Sequence, residues 1–167
     1  NSVTFAATET NNIETAVITY SAAQPEQPVF TVNSIQDLKA LQSGSRATLC
    51  LTDGDEGSMA RVLYVHGTGD TQEAYVRDRT GAVCFYGINP NVPFVCNQHM
   101  AGKITGEYVL ENGVPRFKAV NTLTNTSLLV IAAPVTEAEV QPKEIQATDY
   151  AANVADWISL KNLRIAA

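Results

Sequence analysis

The dipeptide Asn112-Gly113, set between KITGEYVLE and VPRFKAV, restricts this chain more than any other feature. A two-residue hairpin turn needs positive φ at both central positions, and Asn-Gly is the pair that accepts it most readily. Strand side chains alternate between faces, so a slip of one residue would turn every apolar side chain outward. The turn therefore predicts that Phe117 faces the core and that Arg116 and Lys118 are exposed beside it. EAYVRD and AVCFYG around Arg79-Thr80-Gly81 read as a second hairpin. Here alternation points Ala74, Val76, Val83 and Phe85 inward and Tyr75, Arg77, Cys84 and Tyr86 outward.

RATLCL and ARVLYVHG, separated by DGDEGSM, read as one long strand broken by a loop or bulge, and SLLVIAAP as one further apolar strand. Between the hairpins lies INPNVPFVCNQHMAG, too interrupted by proline for a good helix. Ser34 followed by Asp37 predicts a helix N-terminus, with Ile35, Leu38 and Leu41 on one face and Gly44 as the stop.

With 167 residues, 45% hydrophobic and 17% charged, the chain has the composition of a globular domain with residues to spare. No stretch approaches the roughly 20 apolar residues of a membrane-spanning helix. The opening at Asn1, with no Met, basic leader or apolar signal segment, reads as a processed or excised chain. A net charge of -6 repels a phosphate backbone, so nucleic-acid binding would need a local basic patch.

Cys50, Cys84 and Cys96 are odd in number and contain no CxxC. They are read either as small buried hydrophobes or as one bridge, Cys84 to Cys96, in an oxidising compartment. His66 and His99 lie near no nucleophile motif, and His99 is expected as a solvated residue of the connector. The run Asp53-Gly54-Asp55-Glu56-Gly57 reads as a solvated turn, with a calcium loop as the alternative. From these residues we expect no catalytic site, metal site or cofactor.

The ends carry their own patterns. Residues 1–29 read as a hairpin of VTFAAT and TAVITYS around ETNNIE, followed by the linker SAAQPEQP, with the hairpin read as a piece that packs on the main domain or closes an upstream β-sandwich. The tail can be laid over the head of the central domain: Ile35-Gln36 over Ile145-Gln146, and Leu49 and Leu51 over Ile158 and Leu160. Two readings stand, a chance similarity and the opening of a second repeat in residues 142–167. Both ends are expected to pack against the centre, with Trp157 at least partly buried, because two strands cannot bury their own apolar faces.

The wording VNSIQDLKALQSGSRATLCLTD, VLYVHG, AYVRDRTGAVCFYG and GKITGEYVLENGVPRF resembles the OB-fold repeat of secreted and surface-anchored bacterial proteins, often found beside nuclease or sandwich domains. The likeness covers about residues 30 to 135, and the DGDEGSM insertion departs from its pattern. It implies an all-β chain: an OB-fold-like five-stranded Greek-key barrel over 30–141, with the N-terminal hairpin over 1–29 and a C-terminal strand extension over 142–167. It further implies a non-catalytic binding or spacer module of the bacterial cell envelope, on the outer surface or in the periplasm, or an accessory domain of an extracellular nuclease. The outer face of such a barrel is its binding face. Tyr75, Arg77, Tyr86, Arg116 and Lys118 are accordingly the candidate ligand-binding residues, since aromatic rings interleaved with cations suit stacking on bases or sugar rings. The partner classes expected are an oligonucleotide, a glycan or another envelope protein. The competing reading makes Tyr75 and Tyr86 covered cross-strand neighbours and the cations solvated.

Overall fold

A computed structural model describes residues 2–9, 12–19, 27–51, 60–68, 71–88, 94–120, 128–131, 141–161 and 163. The acidic run Asp53–Gly57 lies outside them. In chain order the elements are β1 (Ser2–Glu9), β2 (Asn12–Thr19), β3 (Val29–Val32), α1 (Ile35–Lys39), β4 (Ser45–Leu51), β5 (Ala60–His66), β6 (Glu73–Arg77), β7 (Ala82–Tyr86), β8 (His99–Glu111), β9 (Val114–Lys118), β10 (Leu128–Ile131), β11 (Lys143–Ile145), a 3-10 segment (Ala147–Asn153) and β12 (Ile158–Leu160).

The structure is mostly β-sheet, but the expected five-stranded barrel is corrected. The main sheet has eight strands, in the order β3-β4-β8-β5-β6-β7-β9, with β10 added to β8. β1–β2 and β11–β12 form separate two-stranded sheets, so the C-terminal strands do not extend the main one. Strand length explains the departure. β8 has 13 residues, enough for several partners. At Gly102 it pairs with both Leu51 of β4 and Leu128 of β10, which must therefore lie on opposite edges. β5 joins β4 in tandem along one edge, and β9 follows β10 along the other. The expected broken strand is thus β4 and β5, in tandem along β8, each with a further neighbour of its own. The sheet also begins in a parallel edge strand, β3, paired to β4 from Val29↔Arg46 to Val32↔Leu49.

The hairpin register is as expected. Asn112 and Gly113 have φ of 53° and 81°, and Glu111 pairs with Val114 across the turn. Phe117 is fully buried and stacks in tilted fashion on Phe85, 5.9 Å between centroids. Tyr108 of β8 pairs with Phe117, and two residues before it stands Gly106, where a Cβ would lie 2.6 Å from the Lys118 carbonyl oxygen. Only glycine lets β8 and β9 approach so closely there.

The helix forms where the cap predicts, and is shorter. The Ser34 hydroxyl accepts from the Asp37 amide at 3.0 Å, and the helix ends at Lys39. Ile35 and Leu38 are buried, and Leu41 packs on the same core. Its first amides are also held by the β6–β7 turn: Ile35 N–H donates to Asp78 Oδ2 and Gln36 N–H to Thr80 Oγ1. Asp78 Oδ1 meanwhile accepts from the Thr80 and Gly81 amides. One aspartate thus shapes its own turn and satisfies a helix terminus.

His99 corrects a further expectation. It is buried at the start of β8, in contact with Arg61 of β5, rather than solvated in the connector. The connector itself reaches the core through Ile88 and Phe94. All three cysteines are free, Cys84 being buried and Cys96 exposed, which removes the bridge.

The tail and the head share a plan of strand, helical connector and parallel strand. Ile145 pairs with Leu160 as Val32 pairs with Leu49. The backbone therefore matches Ile145 to Val32, three residues before the Ile35 that the sequence overlay chose.

Candidate functional site

Clean register across β6, β7 and β9 builds the outer face in rows. Glu73, Tyr86 and Lys118 form one row, and Tyr75, Cys84 and Arg116 the next. Four of the five sequence candidates, Tyr75, Tyr86, Arg116 and Lys118, are brought together as expected. Their cations, however, are engaged by neighbouring carboxylates. Arg116 Nη1 donates to Glu73 Oε1 at 2.7 Å, and Lys118 Nζ to Glu111 Oε1 at 3.2 Å. Arg116 Nε lies 3.2 Å from Glu111 Oε2 in an ion pair, yet makes no aligned hydrogen bond. Both cations also lie over the Tyr86 ring, at 5.2 and 5.6 Å from its centroid.

This cover has chemical consequences. Cys84, expected outward, sits beneath the network and is buried. Desolvation, followed by the nearby Glu73 carboxylate, pushes its thiol up to about 11. Tyr75 donates to Glu73 Oε2 at 3.4 Å, and burial with the neighbouring Cys84 and Glu73 pushes its phenol up to about 12. Both groups stay neutral across the physiological range.

Arg77 departs from the group. Its Nε donates to Asp156 Oδ1 at 2.5 Å, its Nη2 to the Trp157 carbonyl at 2.7 Å and its Nη1 to the Gln141 carbonyl at 3.3 Å. It therefore holds the tail against β6. The Asp156 side chain is 4% exposed and also accepts from the Trp157 amide. Ala155, just before it, adopts φ 72°, a left-handed conformation that costs an L-residue about 1–2 kcal/mol. The kink turns Asp156 toward Arg77. Lys39 Nζ adds a bond to the Ala152 carbonyl at 3.4 Å, tying the tail to α1 as well.

Where the tail meets the sheet it leaves a cleft of about 450 Å³, lined by Leu63, Tyr64, Tyr75, Ala155, Asp156 and Trp157. A β-bulge makes it. Val62 pairs with Val76, but the next partner of Tyr75 is Tyr64, with Leu63 as the extra residue. Without the bulge Tyr64 would face Ala74 and the core. With it, Tyr64 stands on the outer face beside Tyr75, 6.2 Å between ring centroids and tilted by 45°. Tyr64 remains 55% exposed and Trp157 48%. Trp157, expected at least partly buried, is thus among the exposed large apolar residues, with about half of its surface covered.

Sequence reasoning found Tyr75 and missed the rest of this cleft. Strict alternation places Tyr64 inward, and no local signal marks the bulge. No family model and no curated protein matches the chain. With the barrel also absent, the identification as an OB-fold repeat module of the bacterial envelope, and the oligonucleotide and glycan roles inherited with it, are withdrawn. Among the described residues no helix is long and apolar enough to cross a membrane, and no group of three His, Cys, Asp or Glu could hold a metal ion.

Proposed function

We propose that this chain is a recognition module that takes an apolar, ring-bearing guest into the cleft between the β5–β6 strands and the tail. One observation carries the reading: Tyr64, Tyr75 and Trp157, from two distant parts of the chain, converge on one cleft while Tyr64 and Trp157 keep about half their surface open. The volume falls within the ~300–1,000 Å³ range of small-molecule sites, and apolar walls with a few polar tips are typical of them. Tyrosine and tryptophan bring large contact area and a hydrogen-bonding end at small entropic cost. The rigid clamp of Arg77 on Asp156 supplies a wall already in place, which lowers the cost of binding.

Binding without reaction suits the groups in the cleft. Tyr75 is held as the neutral phenol, and the Asp156 carboxylate is engaged by Arg77. Neither stands ready as a base. The test is titration with a neutral, environment-sensitive naphthalene dye, read by its emission and by Trp157, the sole tryptophan. We expect saturable binding that weakens at least tenfold in a Tyr64→Ala/Trp157→Ala double variant. Equal binding by the double variant would remove the cleft from the function.

A further inference from the structure

We infer that the chain carries a second site, for the dianionic phosphate of a small phosphate ester, in the hollow where Lys39 of α1 and Lys143 of β11 meet. This hollow of about 410 Å³ lies between α1, the β6–β7 turn and the tail. Among the described residues it shares only Asp156 with the cleft, so the inference stands apart from the reading of the cleft.

Uncompensated charge is the first ground. Lys39 Nζ reaches the Ala152 carbonyl at 3.4 Å, and Lys143 Nζ reaches Asn153 Oδ1 at 2.7 Å. Two ammonium groups are thus drawn to consecutive residues, and each bonds to a neutral oxygen. Among the described residues neither is ion-paired, whereas Lys118 and Lys161 each hold a glutamate. The one carboxylate among the described lining residues, Asp156, is already paired with Arg77. Asp78, in the turn behind, has both oxygens taken by backbone amides, and Asp37 and Asp149 do not line the hollow. The charge left facing the hollow is therefore that of two lysines, which matches a dianion. An ammonium has three N–H donors, so each lysine keeps donors beyond its present bond, and a compact ammonium binds phosphate as a point charge.

Order already present in the site is the second ground. A Cβ on Gly81 would meet Lys39 Cδ at 4.0 Å and Nζ at 3.9 Å, so the lysine stem lies along the β6–β7 turn. A side chain held in this way loses little freedom on binding. Gln36, three residues before Lys39, lines the same hollow, and its carboxamide makes no hydrogen bond among the described residues. It supplies a neutral donor beside the two charged ones. Gly81, Ala82 and Ala152 are small and leave the ammonium groups open to approach. The volume falls in the range of small-molecule sites, and a bare phosphate would leave most of it empty, which argues for an ester.

The experiment is a titration of the whole isotope-labelled chain with ribose 5-phosphate at low salt, read at the Gly81 and Asn153 amides by nuclear magnetic resonance. Ribose, inorganic phosphate and succinate are the comparison ligands. We expect saturable shifts at both amides with ribose 5-phosphate, none with ribose, and at least fivefold weaker binding of inorganic phosphate and of succinate. Added salt should weaken the binding, because the lysines are partly open to solvent. Lys39→Met and Lys143→Met should each weaken it tenfold or more, and Lys161→Met, outside the hollow, should leave it unchanged. Because Lys39 and Lys143 also bond to the tail, Gln36→Glu is the second variant. It breaks no side-chain bond, keeps a good helix former and brings a negative charge to the rim, so binding should fall at least threefold with the Trp157 emission unchanged. Shifts no larger than those given by ribose would overturn the site. So would unchanged affinity in Gln36→Glu together with both methionine variants. Equal affinity for succinate would overturn the choice of phosphate, and equal affinity for inorganic phosphate would overturn the ester.

Discussion

Replacing Asp156 by alanine tests the tail clamp, and its cost can be worked from the contacts. The substitution removes the charged bond from Arg77 and the acceptor for the Trp157 amide. A hydrogen bond between charged groups contributes about 1.5–3 kcal/mol, and with the local bond from the Trp157 amide counted at about 1 the total is about 2.5–4 kcal/mol of tail docking. The larger penalty of about 3–5 kcal/mol for stranding a buried charge does not apply in full. The Arg77 side chain is 19% exposed and can turn toward water once its partner is gone. Nor does the loss fall on the main sheet, whose core is built from other residues. At tenfold per ~1.4 kcal/mol, the opening equilibrium of the tail rises by two to three orders of magnitude. Amide hydrogen exchange reads it directly, because the Lys143 amide donates to the Trp157 carbonyl at 2.8 Å within the tail. That amide should lose its protection while the Val62 amide, bonded to the Gln98 carbonyl in the main domain, keeps its own. Trp157 emission should shift to the red in parallel. Unchanged exchange at Lys143, or equal losses at Lys143 and Val62, would refute the view of the tail as a unit clamped by Arg77.

Gly106→Ala forces a Cβ against the Lys118 carbonyl and should destabilise the main sheet by about 2–3 kcal/mol in urea unfolding. Iodoacetamide at pH 8 should alkylate the exposed Cys96 rapidly and spare Cys84, whose thiol is buried and pushed up to about 11, with mass spectrometry locating the label. Tyr75 has a raised pKa in the folded state, so its contribution to stability is complete below the ordinary tyrosine value near 10 and is lost as pH rises toward about 12. Phenolate absorbance should show a late-titrating tyrosine that disappears in Tyr75→Phe, and the alkaline fall in Tm should be smaller in that variant. Ala155→Gly relieves the positive φ and should leave the tail docked or up to about 1 kcal/mol firmer, measured by the same exchange at Lys143.

Much of the fold was legible locally. Asn112-Gly113 set the β8–β9 register, Phe117 fell inward as alternation required, and Ser34 capped the helix through the Asp37 amide. These features are decided by backbone torsion and nearest neighbours, which a short window of sequence contains. The clustering of Tyr75, Tyr86, Arg116 and Lys118 was legible for the same reason, because two hairpins and alternation suffice to put them on one face. The engagement of Arg116 by Glu73 was not, since it depends on β9 docking parallel to β7, a pairing between strands distant in sequence.

The remaining features were settled by tertiary structure. Whether β4 and β5 act as one strand depended on how many partners the long β8 could take, a question of sheet assembly. Whether His99 met water depended on Arg61 lying across from it. Tyr64 reached the surface through a bulge whose extra residue, Leu63, carries no signal in its type, and Arg77 became a clamp because the tail folded back over β6. Local sequence determined the Asn112-Gly113 turn, most of the strands of the main sheet and the inward side of the β8–β9 hairpin, because torsional preference and side-chain alternation act over a few residues. The pairing of distant strands, and with it the cleft, was decided only in the folded chain, where one-residue shifts and long-range charge pairs select among arrangements that local preference leaves equal.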